Sequence, residues 1–233
     1  MMGCGGKAPT EVSRDGGSMS TTRLVVVRHG QSMAQTQRIV SGHDTCTGLS
    51  PLGWQQAELL RDRLLRTGEL RDASGLYTSI LPRAIETAGT ISSAVGGHDA
   101  QQDCDWCEIH PGEAEGVTWD EFVERYGGES AFGRDESSVP GAELVSAFVA
   151  RVEAAIVRLV DAHDGELIVV VTHGGIVQCA LEVLAGIEFG TTIGYAENTS
   201  MTELRRSSSG DWRLARLNDH AHLYDSDPPL VTS

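Results

Sequence analysis

The chain has 233 residues, 40% of them hydrophobic and 22% charged, which is the composition of a soluble globular protein and a length that one α/β core can reach. Its formal net charge of −15 argues against nucleic acid and anionic membrane as partners, and no apolar run approaches the ~20 residues that span a bilayer. Five cysteines, an odd number, in a chain that does not open with a basic segment and an apolar one, point to free thiols in a reducing compartment, so a cytoplasmic location is expected.

Residues 1–20 are glycine-rich and without periodicity and read as a disordered tail. Leu24 to Val27 are apolar and stop abruptly at Arg28, His29 and Gly30, as a buried parallel strand does when it delivers reactive side chains to the carboxyl edge of a sheet. Ser50 and Pro51 are an N-cap and a first-turn proline, and Leu52, Leu59, Leu60 and Leu64 form the apolar face of a helix that ends before Gly68. A short strand follows over Leu76 to Ser79, then a helix opened by Pro82, carrying Arg83 in its first turn and stopped by Gly96 and Gly97.

Cys104-x-x-Cys107 lies in a segment read as strand running into loop. A zinc ribbon needs a second such pair and a redox pair usually opens a helix, so no metal or redox role is expected, and Cys46 and Cys179 read as packing residues. Thr118 and Glu121 have capping-box spacing and start a helix to Tyr126, and a polar loop spans Gly127 to Gly141. The longest helix is predicted from Glu143 to His163, with Leu144, Phe148, Val152, Ile156 and Leu159 on one face. Leu167 to Val171 is a second buried strand, ending in Thr172-His173-Gly174-Gly175 before a helix over Ile176 to Leu184. Ser200 to Arg205 and Trp212 to Leu217 form a hairpin around Ser209-Gly210. His220-Ala221-His222, on one face of a strand, reads as structural or solvent-exposed rather than metal-binding, and a mobile tail follows from Asp225. One domain, residues 21–224, is expected between tails at 1–20 and 225–233.

Two strands thus end in His-Gly, and in an open α/β sheet the ends of neighbouring parallel strands face one crevice, where His29 and His173 could meet. Gly174 and Gly175 offer backbone N–H groups at a helix N-terminus, a natural seat for a phosphate. Only one lysine exists, Lys7, so arginine carries nearly all the positive charge, and its planar fork suits phosphate oxygens. Taken alone, Arg83 could equally be a surface ion pair with Glu86, and Glu108, Glu113 and Glu115 are not told apart.

Arg28-His29-Gly30-Gln31-Ser32, the run Ser79-Ile80-Leu81-Pro82-Arg83-Ala84-Ile85-Glu86-Thr87-Ala88, Glu108-Ile109 with Gly112 and Glu115-Gly116, Pro140-Gly141-Ala142-Glu143, and Thr172-His173-Gly174-Gly175 stand in the order of the motif blocks of the histidine phosphatase superfamily, also called phosphoglycerate mutase-like. The chain resembles that family over residues 22–223. The resemblance implies an α/β fold of three layers, a mostly parallel central sheet with helices on both faces. It implies a site in which His29 is the nucleophile, Arg28, Arg83 and His173 hold the phosphoryl group with Gly174 and Gln35, and Glu108 is the acid and base, with neither metal nor cofactor. Gln35 stands where many members carry asparagine, and the loop between Asp44 and Leu49 is longer than usual. Hydrolysis of a small phosphorylated metabolite such as a sugar phosphate is expected, because residues 109–139 contain only Arg125 and Arg134 as basic side chains and look too short and acidic for a mutase insertion. Phosphoglycerate mutase-type transfer and noncatalytic binding of a phosphate ligand are the alternatives. A homodimer is left open.

Overall fold

The structure is a computed structural model and describes residues 21–191 and 196–231; the N-terminal stretch read as a tail lies outside the described residues. Six strands form one sheet: β1 (Thr22–Arg28), β2 (Gly75–Thr78), β3 (Gln101–Gln102), β4 (Leu167–Thr172), β5 (Met201–Arg206) and β6 (Trp212–Asp219), in the order β3-β2-β4-β1-β5-β6. The first four in that order are parallel, and β5 and β6 add an antiparallel hairpin at the β1 edge. Every residue of β4 is buried, as expected of a central strand covered on both faces.

The helices are α1 (Met33–Gln37), α2 (Pro51–Thr67), α3 (Pro82–Ile91), α4 (Trp119–Tyr126), α5 (Val145–Ala162) and α6 (Gly174–Ala185). Alternation along the strands splits the core in two. Leu24, Val26, Ile168 and Val170 pack against α5 and α6, through Phe148, Val152, Ile156 and Ile176. Val25, Val27, Val169 and Val171 pack against α2 and α3 through Leu60, Leu64, Ala88 and Ile91. The result is the expected three-layer arrangement. A smaller core of Ala114, Phe122, Ala131 and Val139 lies under α4.

Local signals set most boundaries. Ser50 caps α2 by accepting from Gly53 N, with Pro51 in the first turn, and Gly68 ends the helix at φ 66°. Thr118 and Glu121 complete the capping box of α4. Three segments differ from expectation. Cys104 to Trp106 is a 3-10 turn rather than strand, because the sheet edge ends at Gln102 and Asp103 caps the turn through Asp105 N. Ala221 to Tyr224 is also a 3-10 turn, so His220 and His222 do not share a strand face, and His222 is buried with its Nε2 2.9 Å from Thr199 Oγ1. Of the stretch from Asp225 on, read as a mobile tail, the described part is tied back at Leu230: its N–H donates to Leu223 O at 2.9 Å, and Gln56 Nε2 donates to its carbonyl oxygen at 2.7 Å.

The loop after β1 is pressed against the start of α2, where a side chain at Gly53 would collide with the Gln31 carbonyl. Gly53→Ala should therefore displace backbone and cost about 1–3 kcal/mol. Gly89→Ala, on the exposed side of α3 with nothing within 4 Å of the added carbon, should be neutral or stabilising by up to about 1 kcal/mol. Equal denaturation midpoints for the two variants would contradict the tight approach.

Candidate active site

Parallel pairing of β1 with β4 aligns Arg28 with Thr172, so that His29 and His173 leave the sheet side by side, and His29 N donates to Thr172 O at 2.8 Å. The two imidazoles meet edge to face with ring centroids 5.1 Å apart, and both are buried. His29 Nδ1 lies 2.6 Å from the carbonyl oxygen of Gly30. A neutral imidazole facing a carbonyl must place its proton on that nitrogen, which leaves the lone pair on Nε2. Arg83 Nε donates to that Nε2 at 3.1 Å.

The proline-opened helix α3 delivers Arg83 from below the ring. Thr87, one turn on, accepts from Gly30 N at 3.1 Å and donates to Arg83 O at 2.7 Å, locking α3 to the end of β1. The ion pair of Arg83 with Glu86 does not form: Glu86 accepts from Leu49 N at 2.6 Å and points away. Arg28 donates through one guanidinium nitrogen to Ala196 O. Neither Arg28 nor Arg83 pairs with a carboxylate among the described residues. His173 Nε2 is 2.7 Å from Ser79 Oγ, while its Nδ1 and the Nε of Arg28 are buried without a hydrogen-bond partner. Orphaned polar atoms of this kind are costly unless a ligand meets them.

Burial first, then the Arg83 and Arg28 cations, hold His29 well below the usual histidine range. Burial and Arg83 do the same to His173. Both rings are therefore neutral at physiological pH.

The three candidate carboxylates separate clearly. Glu108 Oε2 accepts from Gly175 N at 3.0 Å and its Oε1 from Ile109 N at 3.1 Å, so its carboxylate sits on the N-terminus of α6 beside His173. The turn before it is fixed to β4, because Thr172 Oγ1 donates to Trp106 O at 2.6 Å. Glu115 instead gathers the N–H groups of Gly42, Asp44 and Thr45. Glu113 is exposed. A side chain at Gly175 would strike the Glu108 carboxylate, which explains the glycine there. It also corrects one expectation: the Gly175 N–H is taken by Glu108 rather than offered to a phosphate. Gly174, the first residue of α6, stands against Arg28.

Gln35 is likewise committed elsewhere. It closes the capping box of α1 by accepting from Ser32 N at 3.0 Å, and its Nε2 donates to Asn198 Oδ1 at 3.3 Å. Asn198, which sequence reading missed, donates to His29 O at 2.9 Å. Thr199, at φ 58°, gives its N–H to the carbonyls of Arg28 and His29. Nothing in Asn198-Thr199-Ser200 resembles a motif. These residues act on backbone atoms and are found only once the loop before β5 has closed on β1.

Comparison with known proteins agrees with this geometry. Residues 24–220 match the family described as Histidine phosphatase superfamily (branch 1). Phosphoglycerate mutase-like protein 4 of Arabidopsis thaliana is 30% identical over 216 residues, covering 91% of each chain. Metal-independent phosphoserine phosphatase of the same plant is 27% identical over 206 residues, 87% of this chain and 83% of the relative. The native structure of mycobacterial glucosyl-3-phosphoglycerate phosphatase superposes with a TM-score of 0.72 at 25% identity, covering 85% of this chain and 99% of the other. A match over most of the length, with paired strand-end histidines flanked by two arginines, leaves one assignment: the chain belongs to branch 1 of the histidine phosphatase superfamily.

Proposed function

We propose that this protein hydrolyses a small phosphomonoester, such as a sugar phosphate, through a phosphohistidine on His29. The observation that carries the reading is the state of His29: neutral, its Nδ1 proton held by Gly30 O and its Nε2 lone pair facing Arg83. In the first step Nε2 attacks phosphorus and the ester P–O bond breaks. Arg28, Arg83 and His173 hold the phosphoryl oxygens; the unpartnered Arg28 Nε is a donor already in place, and His173 Nδ1 becomes one in the tautomer in which Nε2 accepts from the Ser79 hydroxyl. As the oxygens take up the Arg83 donors, Nε2 is released for attack. Glu108 in its acid form gives a proton to the leaving alkoxide, and as carboxylate it takes one from the water that cleaves the P–N bond. The amide of Gly174, at the N-terminus of α6, is assigned to the same oxyanion, and Gln35 acts through Asn198 on the His29 backbone.

Hydrolysis is favoured over mutase transfer by the mouth of the site. A mutase must also hold a carboxylate and a second phosphate, which calls for uncommitted cations. The two arginines in residues 109–139 are both engaged, Arg134 with Glu182 at 2.8 Å and Arg125 with Glu121 at 3.4 Å. Relatives with phosphatase in their names support the same choice. Release of phosphate from a panel of phosphomonoesters without added 2,3-bisphosphoglycerate is expected; rapid isomerisation of 3-phosphoglycerate with negligible hydrolysis would reverse it.

Roles within the site separate by what accumulates. His29→Ala should abolish both phosphoenzyme and product. Glu108→Gln keeps an acceptor for Gly175 N but loses proton transfer, so turnover of alkyl phosphates should fall ~10²–10⁴-fold. With an activated aryl phosphate, whose phenolate leaves unaided, the same variant should give a burst of phenolate and an acid-labile phosphohistidine. Labelled phosphate on His173, or wild-type turnover by Glu108→Gln, would refute the assignment.

Neutral buried histidines also fix how stability depends on pH. His29 and His173 have folded-state values depressed below the unfolded ones, and burial pushes His222 down to about 4. As pH falls through the usual histidine range, the unfolded chain therefore binds protons that the folded chain does not, and stability drops. Denaturation midpoints should decrease between about pH 7.5 and 5.5, while the His29 and His173 ring resonances do not titrate there. Titration of either ring in that interval would contradict the buried, cation-flanked geometry.

A further inference from the structure

The loop after α1 and the turn before Glu108 bring together a second set of reactive side chains, outside the phosphoryl site. His43 Nε2 lies 3.3 Å from Cys104 Sγ, and the ligand atoms of His43, Cys104 and Cys107 all lie within 4.8 Å of one another. Cys46 lies outside that set of ligand atoms but packs with Leu81 and Cys107 in one small buried cluster, on which Cys104 rests. The residues form two pairs of equal spacing, His43-x-x-Cys46 and Cys104-x-x-Cys107.

Both pairs sit on backbone that is unusually well held. Cys104 to Trp106 is a tight 3-10 turn, with Cys107 N bonded to Cys104 O at 2.9 Å. Arg151 reaches over it and donates to the carbonyls of Cys104, Asp105 and Cys107 at 3.2, 2.9 and 3.2 Å, and is itself gripped through two nitrogens by Glu143. Across the gap, Glu115 fixes the loop through Gly42, Asp44 and Thr45, and His110 packs edge-on against the His43 ring with centroids 5.0 Å apart. Such supports are what orient metal ligands. A tetrahedral ion with Zn–S of ~2.3 Å and Zn–N of ~2.0–2.1 Å has ligand-to-ligand edges of about 3.5–3.8 Å. For the three edges among His43, Cys104 and Cys107, the 3.3 Å contact and the 4.8 Å limit bracket that size. Thiolate and imidazole donors select zinc over magnesium or calcium.

We propose that His43, Cys104 and Cys107 bind one structural zinc ion, and that the neighbouring Cys46 turns in from its packing against Cys107 to become the fourth ligand. On binding, each cysteine gives its proton to solvent and donates as thiolate. The ion pins the loop that carries Ser41, which accepts from Arg83 at 3.5 Å, to the turn that carries Glu108, and it takes no part in the phosphoryl chemistry. Sequence reading dismissed this site because it looked for a second Cys-x-x-Cys; the second pair is His43-x-x-Cys46. The proposal stands independently of the phosphatase reading.

The full chain, purified under reducing conditions, would be loaded with Zn²⁺ or Co²⁺ and passed through gel filtration. One zinc per chain is expected, together with the visible bands of tetrahedral cobalt and a thiolate-to-cobalt charge-transfer band. His43 is exposed, so His43→Ala should keep its circular dichroism yet lose the metal and the rise in melting temperature that zinc gives the wild type. Cys46→Ser should lower the charge-transfer intensity by about a third, the share of one sulfur in three. Metal-free elution of the reduced wild type, or equal zinc retention by His43→Ala, would overturn the site, and an unchanged cobalt spectrum in Cys46→Ser would overturn the fourth ligand.

Discussion

The parallel pairing of β1 with β4 is the constraint on which the rest depends. Both strands are buried on both faces, so their register is fixed by two layers of packing as well as by the ladder between them. A slip of one residue would turn each strand's apolar side chains to the opposite face and carry His29 away from His173. Because the register holds, two histidines distant in sequence emerge at the same height on the same edge, and one hydrogen bond, His29 N to Thr172 O, already joins the segments that bear them.

Electrostatics then follows from burial. The protein is acidic overall, and most of its arginines outside the site are neutralised in ion pairs: Arg63 with Glu69 and Asp219, Arg151 with Glu143, Arg23 and Arg205 with the buried Glu203. Arg28 and Arg83 hydrogen-bond instead to a carbonyl, a hydroxyl and an imidazole, while the Glu108 and Glu197 carboxylates act on Arg28 through space. These cations serve two purposes at once. They create the local positive potential that a phosphate needs, and they keep the neighbouring imidazoles unprotonated, which a nucleophile needs.

The remaining walls come from loops, each fixed by one acidic side chain turned toward backbone N–H groups. Glu115 ties down the segment from Gly42 to Thr45, Glu86 holds Leu49, and Glu108 rests on α6. In a chain rich in carboxylates and poor in lysine, such anion-to-backbone contacts order loops without needing basic partners. The segment around α4 completes the wall with a core of its own, in which Phe122 stacks on Phe132.

Local physics written in the residues determined a large part of this protein. Unbroken apolar runs predicted β1 and β4, Ser50-Pro51 and the Thr118 capping box predicted helix starts, and motif order placed His29, Arg28, Arg83 and His173 together. Those features are decided by neighbours in the chain: strand burial, first-turn donors, the φ preference of proline and glycine. Glu108, Glu113 and Glu115 are not told apart by their local sequence; the resemblance selected Glu108, and the folded chain shows why, sending it alone of the three to the N-terminus of α6. Tertiary structure alone decided the place of Gln35, whose amide was claimed by a cap and by Asn198, and of Asn198 and Thr199, which bind backbone that any residue could supply. His43 reaches Cys104 and Cys107, and Cys46 packs with Cys107, for the same reason. Their pairing depends on two loops fixed by Glu115 and Arg151, and no local pattern encodes a contact whose partners are brought together by the sheet between them.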